Sequence, residues 1–198
     1  ILGRFRKGHP NILIQVEEQN SYETIKRIST RKVDAGIVGM KTDDENCEFR
    51  PIYQDEFVFI TPNIPYYRAL QQTKPDLKRL AQEPLIVRES GSAVKQNTER
   101  MLNSANISME SLHIITSINS IEVIKRLVAQ GAGTSFISRI AVDDMINRGE
   151  LLAFSLENVP YHYRDLYLVW NKKITIPTYL QEFLDCALEY SQNKFSKT

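Results

Sequence analysis

The 198-residue chain is long enough for one large domain or two small ones and can bury about 70% of its unfolded surface, so a core needs no staples. Hydrophobic content of 42% and charged content of 25% match folded globular chains, and no apolar run approaches the ~18 residues that cross a membrane. Its 25 basic and 24 acidic side chains leave a charge of +1. That excludes an overall field drawing a phosphate backbone, so these residues alone are expected to bind DNA weakly.

The sequence opens on Ile1 rather than Met and is expected to be a fragment. Ile1, Leu2 and Phe5 fall at helical spacing and read as the end of a helix. Ile12 to Val16 is rich in branched residues and reads as a strand. Asn20 is a good N-cap with Glu23 three residues on, and Ile25 and Ile28 share one helical face. Val33 to Val38 is a short apolar strand, and Asp43-Asp44-Glu45 lacks the alternating ligands of a calcium loop, so it reads as a solvated turn. Phe57 to Pro62 is an apolar strand closed by proline, followed by the turn-rich Asn63-Ile64-Pro65.

The second half of the chain repeats this plan. Leu85 to Val87 is a strand, Arg88-Glu89-Ser90-Gly91-Ser92 a small turn, and Ser92 to Leu102 a helix. Leu112 to Ile115 is the next strand, Asn119 the next N-cap with Glu122 three residues on, and Ile124, Leu127 and Val128 form an inward face. Gly131-Ala132-Gly133 lacks the third glycine of a dinucleotide fingerprint and reads as a helix stop before the strand that ends at Ile137. Asp165 to Trp170 is a last strand, and Pro177 to Tyr190 a last helix with Leu180, Phe183, Leu184 and Leu188 inward.

Residues 20–28 (NSYETIKRI) and 119–127 (NSIEVIKRL) are identical at six of nine positions, 99 residues apart. Each copy is flanked by apolar strands, so the repeating unit is strand, helix, strand, and a parallel pair with a right-handed crossover is expected. Two similar α/β lobes follow, residues 1–61 with 163–198, and 62–162. Moving the strand and helix of 85–102 back by the same offset puts them before or at Ile1, so the first lobe is expected to lack its first strand here. The chain should cross between lobes near Thr61 and between Pro160 and Asp165, which makes a hinge.

Catalytic templates fit poorly. His9, His113 and His162 are far apart, with no neighbouring nucleophile and no metal-ligand spacing. Cys47 and Cys186 are too few and too distant for a disulfide framework or zinc site, and free thiols fit a reducing compartment. No catalytic residue, metal or cofactor is expected. Tyr161, Tyr163 and Tyr167 around Arg164 read as core and hinge packing rather than a base-stacking platform. The turn at Ser90, Gly91 and Ser92 stands out, because it opens a helix whose first amides have no acceptor and whose dipole favours an anion. Lys95 is one turn in, and the helix starting at Asn119-Ser120 offers a second N-terminus at the same edge.

The ordered set of these features resembles the effector-binding domain of LysR-type transcriptional regulators. It comprises Phe5 to Pro10, Asp34 to Val38, Phe57 to Pro62, Pro84-Leu85-Ile86, Arg88 to Ser92, Ser120 to Lys125, Gly131 to Gly133 and Gly149-Glu150-Leu151. The resemblance implies an α/β fold of two Rossmann-like lobes with an interlobe cleft, of the type 2 periplasmic-binding-protein kind. It further implies a small, anionic effector held by Gly39, Thr61, Ser90, Gly91, Ser92, Asn119 and Ser120. It also implies a homodimer or tetramer in the cytoplasm, with no membrane contact, that reaches DNA through an upstream winged helix-turn-helix domain absent from these residues. A free-standing solute-binding protein of the same fold is the alternative.

Overall fold

The computed structural model describes residues 1–195, with side chains to Ser191. In chain order its elements are α1 (Leu2–Gly8), α2 (Ser21–Ser29), β1 (Ala35–Val38), β2 (Cys47–Pro62), α3 (Pro65–Gln72), α4 (Leu77–Leu80), β3 (Leu85–Arg88) and α5 (Ala93–Ser104). There follow β4 (Ile114–Ile118), α6 (Ile121–Ala129), β5 (Ser135–Ser138), α7 (Asp143–Asn147), β6 (Leu151–Ser155), β7 (Tyr163–Asn171) and α8 (Thr178–Phe195). The chain divides into two compact units. Unit 1 holds residues 1–54 and the segment from Asp165 onward, and unit 2 holds Asp55–Arg164. The passages lie inside strands, at Gln54/Asp55 in β2 and Arg164/Asp165 in β7, whereas the sequence places the first near Thr61. Proline 62 does close β2, but the strand runs back to Cys47, so its apolar end belongs wholly to unit 2.

In unit 1, α1 packs on α8 through Phe5, whose ring stacks on His9 at 4.3 Å and meets Phe183 edge-on at 5.3 Å. Helix α2 starts at its cap: the Asn20 side chain accepts from the Glu23 amide at 2.9 Å. Ile25 and Ile28 bury against Val38, Cys47 and Val169. Gly36 permits this approach, since a Cβ there would lie 2.7 Å from Thr24 Cγ2 and 3.1 Å from Ile28 Cδ1. Burial pushes the Cys47 thiol up to about 11, with Asp44 adding to the effect, so it stays protonated and inert.

The strand expected at Ile12 to Val16 does not form. Residues 12–20 have no regular structure, and Leu13 and Val16 are 95% and 70% exposed. A strand is held by its ladder and cross-strand pairs, and among the described residues none runs beside this segment. The parallel pair expected around α2 is therefore absent, and β1 pairs antiparallel with β7, from Ala35↔Trp170 to Val38↔Tyr167.

In unit 2, β3 and β4 are parallel, with α5 as their crossover. The direct pairing expected between the strands flanking α6 is replaced by a skipped position. Thr134 bridges Leu85 in parallel, so β3 lies between β4 and the start of β5. Strand β5 then turns to pair antiparallel with β2, as does β6.

The run Phe57 to Ile60 explains why the sequence there is apolar without alternation. Phe57 and Phe59 face one core with Met101, Leu102, Phe136 and Phe154, while Val58 and Ile60 face another with Ile86, Ile124, Val128 and Ile137. All four β2 residues are fully buried, as in a strand covered on both faces.

A polar cluster joins α3, α4 and the segment before β3 in unit 2. Glu83 accepts hydrogen bonds from Tyr66 Oη at 2.8 Å, Tyr67 Oη at 2.9 Å and Arg79 Nη1 at 2.7 Å. Burial works to raise the Glu83 pKa, but these three bonds outweigh it and hold the carboxyl below the ordinary glutamate range. Burial, with the bond to Glu83 second, pushes the Tyr67 hydroxyl up. Because the folded Glu83 pKa is depressed, its stabilisation is complete above the unfolded value and is lost as pH falls through the folded one. Urea unfolding between neutral and acid pH should show this loss, and Glu83→Gln should flatten it; an unchanged acid slope in the variant would assign the loss to other carboxylates.

Candidate functional site

The site in unit 2 follows from one register. In the parallel pair β3–β4, Arg88 stands beside Ile118, so the turns leaving the carboxyl ends of both strands are neighbours. The first turn is Glu89 to Ser92 and opens α5, which is twelve residues long; the second is Asn119-Ser120 and opens α6, nine residues long. Two sets of unsatisfied helix amides and two positive dipole ends thus occupy one edge.

Ser92 caps α5, its Oγ accepting from the Val94 amide at 3.2 Å. It is only 4% exposed, whereas Ser90 and Gly91 are exposed, and Gly91 takes φ of +85°, a conformation glycine adopts without penalty. Lys95 donates from Nζ to Ser90 Oγ at 3.4 Å, placing a cation over the turn. Arg88, which is buried, is held by its neighbour: Nε meets Glu89 Oε2 at 2.8 Å and Nη2 meets Oε1 at 3.1 Å.

The cap of α6 is Ser120, which accepts from the Val123 amide at 3.4 Å, and not Asn119 as the repeat implies. Asn119 is exposed beside it. Glu122, expected to reach back to the cap, instead pairs with Lys125 at 2.6 Å, and Lys125 Nζ also donates to the Ala141 carbonyl at 2.9 Å.

Ser90, Gly91, Ser92, Asn119 and Ser120 therefore share one edge of unit 2. Thr61 does not join them: it is fully buried, paired with Leu152 of β6, and its hydroxyl donates to the Pro62 carbonyl at 3.2 Å. That bond satisfies the hydroxyl locally within the interior strand. Gly39 belongs to unit 1, where its amide donates to Ser21 Oγ at 3.2 Å, just inside the start of α2.

The sequence reading missed a second polar constellation. Asp55 is fully buried, and accepts from Ser138 Oγ at 2.7 Å and from Nε and Nη2 of Arg164 at 3.1 and 3.0 Å. The available signals were an acidic residue two positions before the apolar run that starts at Phe57 and an arginine among tyrosines. Among the described residues no group of three or more His, Cys, Asp or Glu is placed to hold a metal. No described helix is long and apolar enough to cross a membrane.

Residues 1–192 match the model of the LysR substrate binding domain family. The chain belongs to that family. Among relatives of this LysR domain, the HTH-type transcriptional activator CmpR of Synechocystis sp. is 26% identical over 192 residues, covering 97% of this chain and 61% of its own. A probable RuBisCO transcriptional regulator of Trichormus variabilis is 27% identical over 175 residues, covering 86% of this chain and 51% of its own. The LysR domain thus spans roughly half to three fifths of these relatives' lengths. The Synechocystis PCC6803 CcmR regulatory domain, in complex with 2-PG, has a TM-score of 0.82 at 22% identity, covering 97% of this chain and 89% of its own. The effector binding domain of QuiR, in complex with shikimate, gives 0.81 at 21% identity, covering 97% and 88%. These likenesses establish the mixed α/β fold of LysR effector-binding domains, the type 2 periplasmic-binding-protein kind.

Proposed function

We propose that this LysR domain is the effector sensor of a transcription regulator and takes a small organic anion at the paired N-termini of α5 and α6. The observation that carries the reading is the Arg88↔Ile118 register, which sets two serine-capped helix starts side by side. Their free amides, the Ser92 and Ser120 hydroxyls and the Lys95 ammonium supply donors and positive charge. Ligand complexes of the fold neighbours, with 2-PG and shikimate, support a small-molecule effector.

DNA contact in this proposal belongs to a helix-turn-helix domain outside these residues, since a charge of +1 offers no field for it. The whole regulator would work in the cytoplasm as a homodimer or tetramer. The regulator relatives favour this over a free-standing solute-binding protein or an enzyme.

Calorimetric titration with 2-PG, shikimate and inorganic phosphate, and with small carboxylates each beside its neutral methyl ester, tests the reading. Saturable binding is expected for an acid and not for its ester, weakening as salt rises. An ester that binds as tightly as its acid would overturn the anion assignment.

A further inference from the structure

Asp55, Arg164 and Ser138 take no part in the anion site, yet they form a buried charged group of unit 2. The Arg164 guanidinium is 11% exposed and lies over the Phe57 ring, 4.9 Å from its centroid. Burial pushes its pKa down, against the pull of Asp55. A buried ion pair adds little stability over an apolar pair, but it fixes which groups must face each other.

The three side chains come from three adjacent strands, ordered β7-β2-β5. The Phe57 amide donates to the His162 carbonyl at 2.7 Å, and two residues from each of these the Asp55 carboxylate meets Arg164 Nη2 at 3.0 Å. Across the other edge of β2, Phe57 is paired with Ser138. One carboxylate thus spans both strands that link the units, at the residues where each enters or leaves unit 2. The burial of β2 changes at the same residue. Before Asp55, exposed Arg50, Pro51 and Gln54 are interspersed with inward side chains, and from Phe57 onward every residue is buried.

We infer that Asp55 is a clasp. It holds the two linking strands to each other and to β5 at the edge of unit 2, and so confines bending of the links to residues on the unit 1 side of the pair. A slip of either strand by one residue would turn Asp55 or Arg164 to the opposite face and leave the other charge buried alone. In an effector sensor this sets where the chain flexes. That consequence rests on the proposed function, but the clasp itself is measured without a ligand.

Amide hydrogen exchange on the 198-residue chain tests it, with Asp55→Asn, Arg164→Gln and Ser138→Ala. In the first two variants, amides of residues 53–58 and 161–166 should exchange about ten- to a hundredfold faster, the factor for losing a hydrogen bond to a charged group. Helices α5 and α6 should keep their protection. Unchanged exchange in the links overturns the clasp, and so does acceleration spread evenly through unit 2, which would make the pair general core support. If either charge variant fails to fold, Ser138→Ala decides, since it removes one bond and leaves the ion pair. A smaller acceleration confined to the same segments supports the clasp, and none overturns it.

Discussion

Ser92→Ala is expected to weaken anion binding by roughly one to two decades, the equivalent of the ~1.5–3 kcal/mol that a hydrogen bond to a charged group contributes. The Ser92 oxygen accepts from the Val94 amide, so its own proton is free to donate to a ligand at the α5 N-terminus. Ser120→Ala should act in the same direction at α6, where the hydroxyl also caps, accepting from the amide three residues on rather than two, and the residue is more open. Each change also removes a helix cap worth about 1 kcal/mol, so urea unfolding must run beside the calorimetry. If both variants stay folded and bind as the parent does, the serines are caps and nothing more.

Phe59→Ala should cost unit 2 about 3–5 kcal/mol, the range for emptying a large aromatic from a packed core. Phe59 is fully buried, with Phe136 at 4.9 Å and Phe154 at 5.9 Å, so the loss removes a three-ring cluster joining β2, β5 and β6. Rigid strands on both sides limit collapse of the cavity. Chemical denaturation followed by far-UV circular dichroism reads the change. A loss below about 1.5 kcal/mol, the scale of a tolerated volume-conserving swap, would mean that the ring cluster does not hold the sheet.

Helix starts were the most legible part of the fold, because capping chemistry is local. Asn20 caps α2 as written, and the turn Arg88 to Ser92 opens α5 with Ser92 as cap. The second repeat misled by one residue: Asn119 copies Asn20, but Ser120 does the capping, since either side chain suits the role and the end of β4 decides between them. Strand pairing was less legible. Ile12 to Val16 has the composition of a strand and no partner among the described residues, and the skipped position around α6 depends on β3, which the repeat alone does not bring in. Thr61 illustrates a further limit. The strand order placed the first crossover near it, whereas the passage falls at Gln54/Asp55, before the buried run that carries Thr61 into unit 2. The Asp55–Arg164 pair joins residues 109 positions apart, and no local pattern announces such a contact.

The most direct test of the central claim is where an anion binds. Backbone amide spectra of the isotopically labelled chain, titrated with 2-PG, shikimate and inorganic phosphate, would follow every helix start at once. Saturable shifts are expected to be largest at residues 90–95 and 119–123, with smaller changes in the Glu83 cluster and α8. Saturable shifts centred elsewhere, or none with any small organic acid offered, would contradict it.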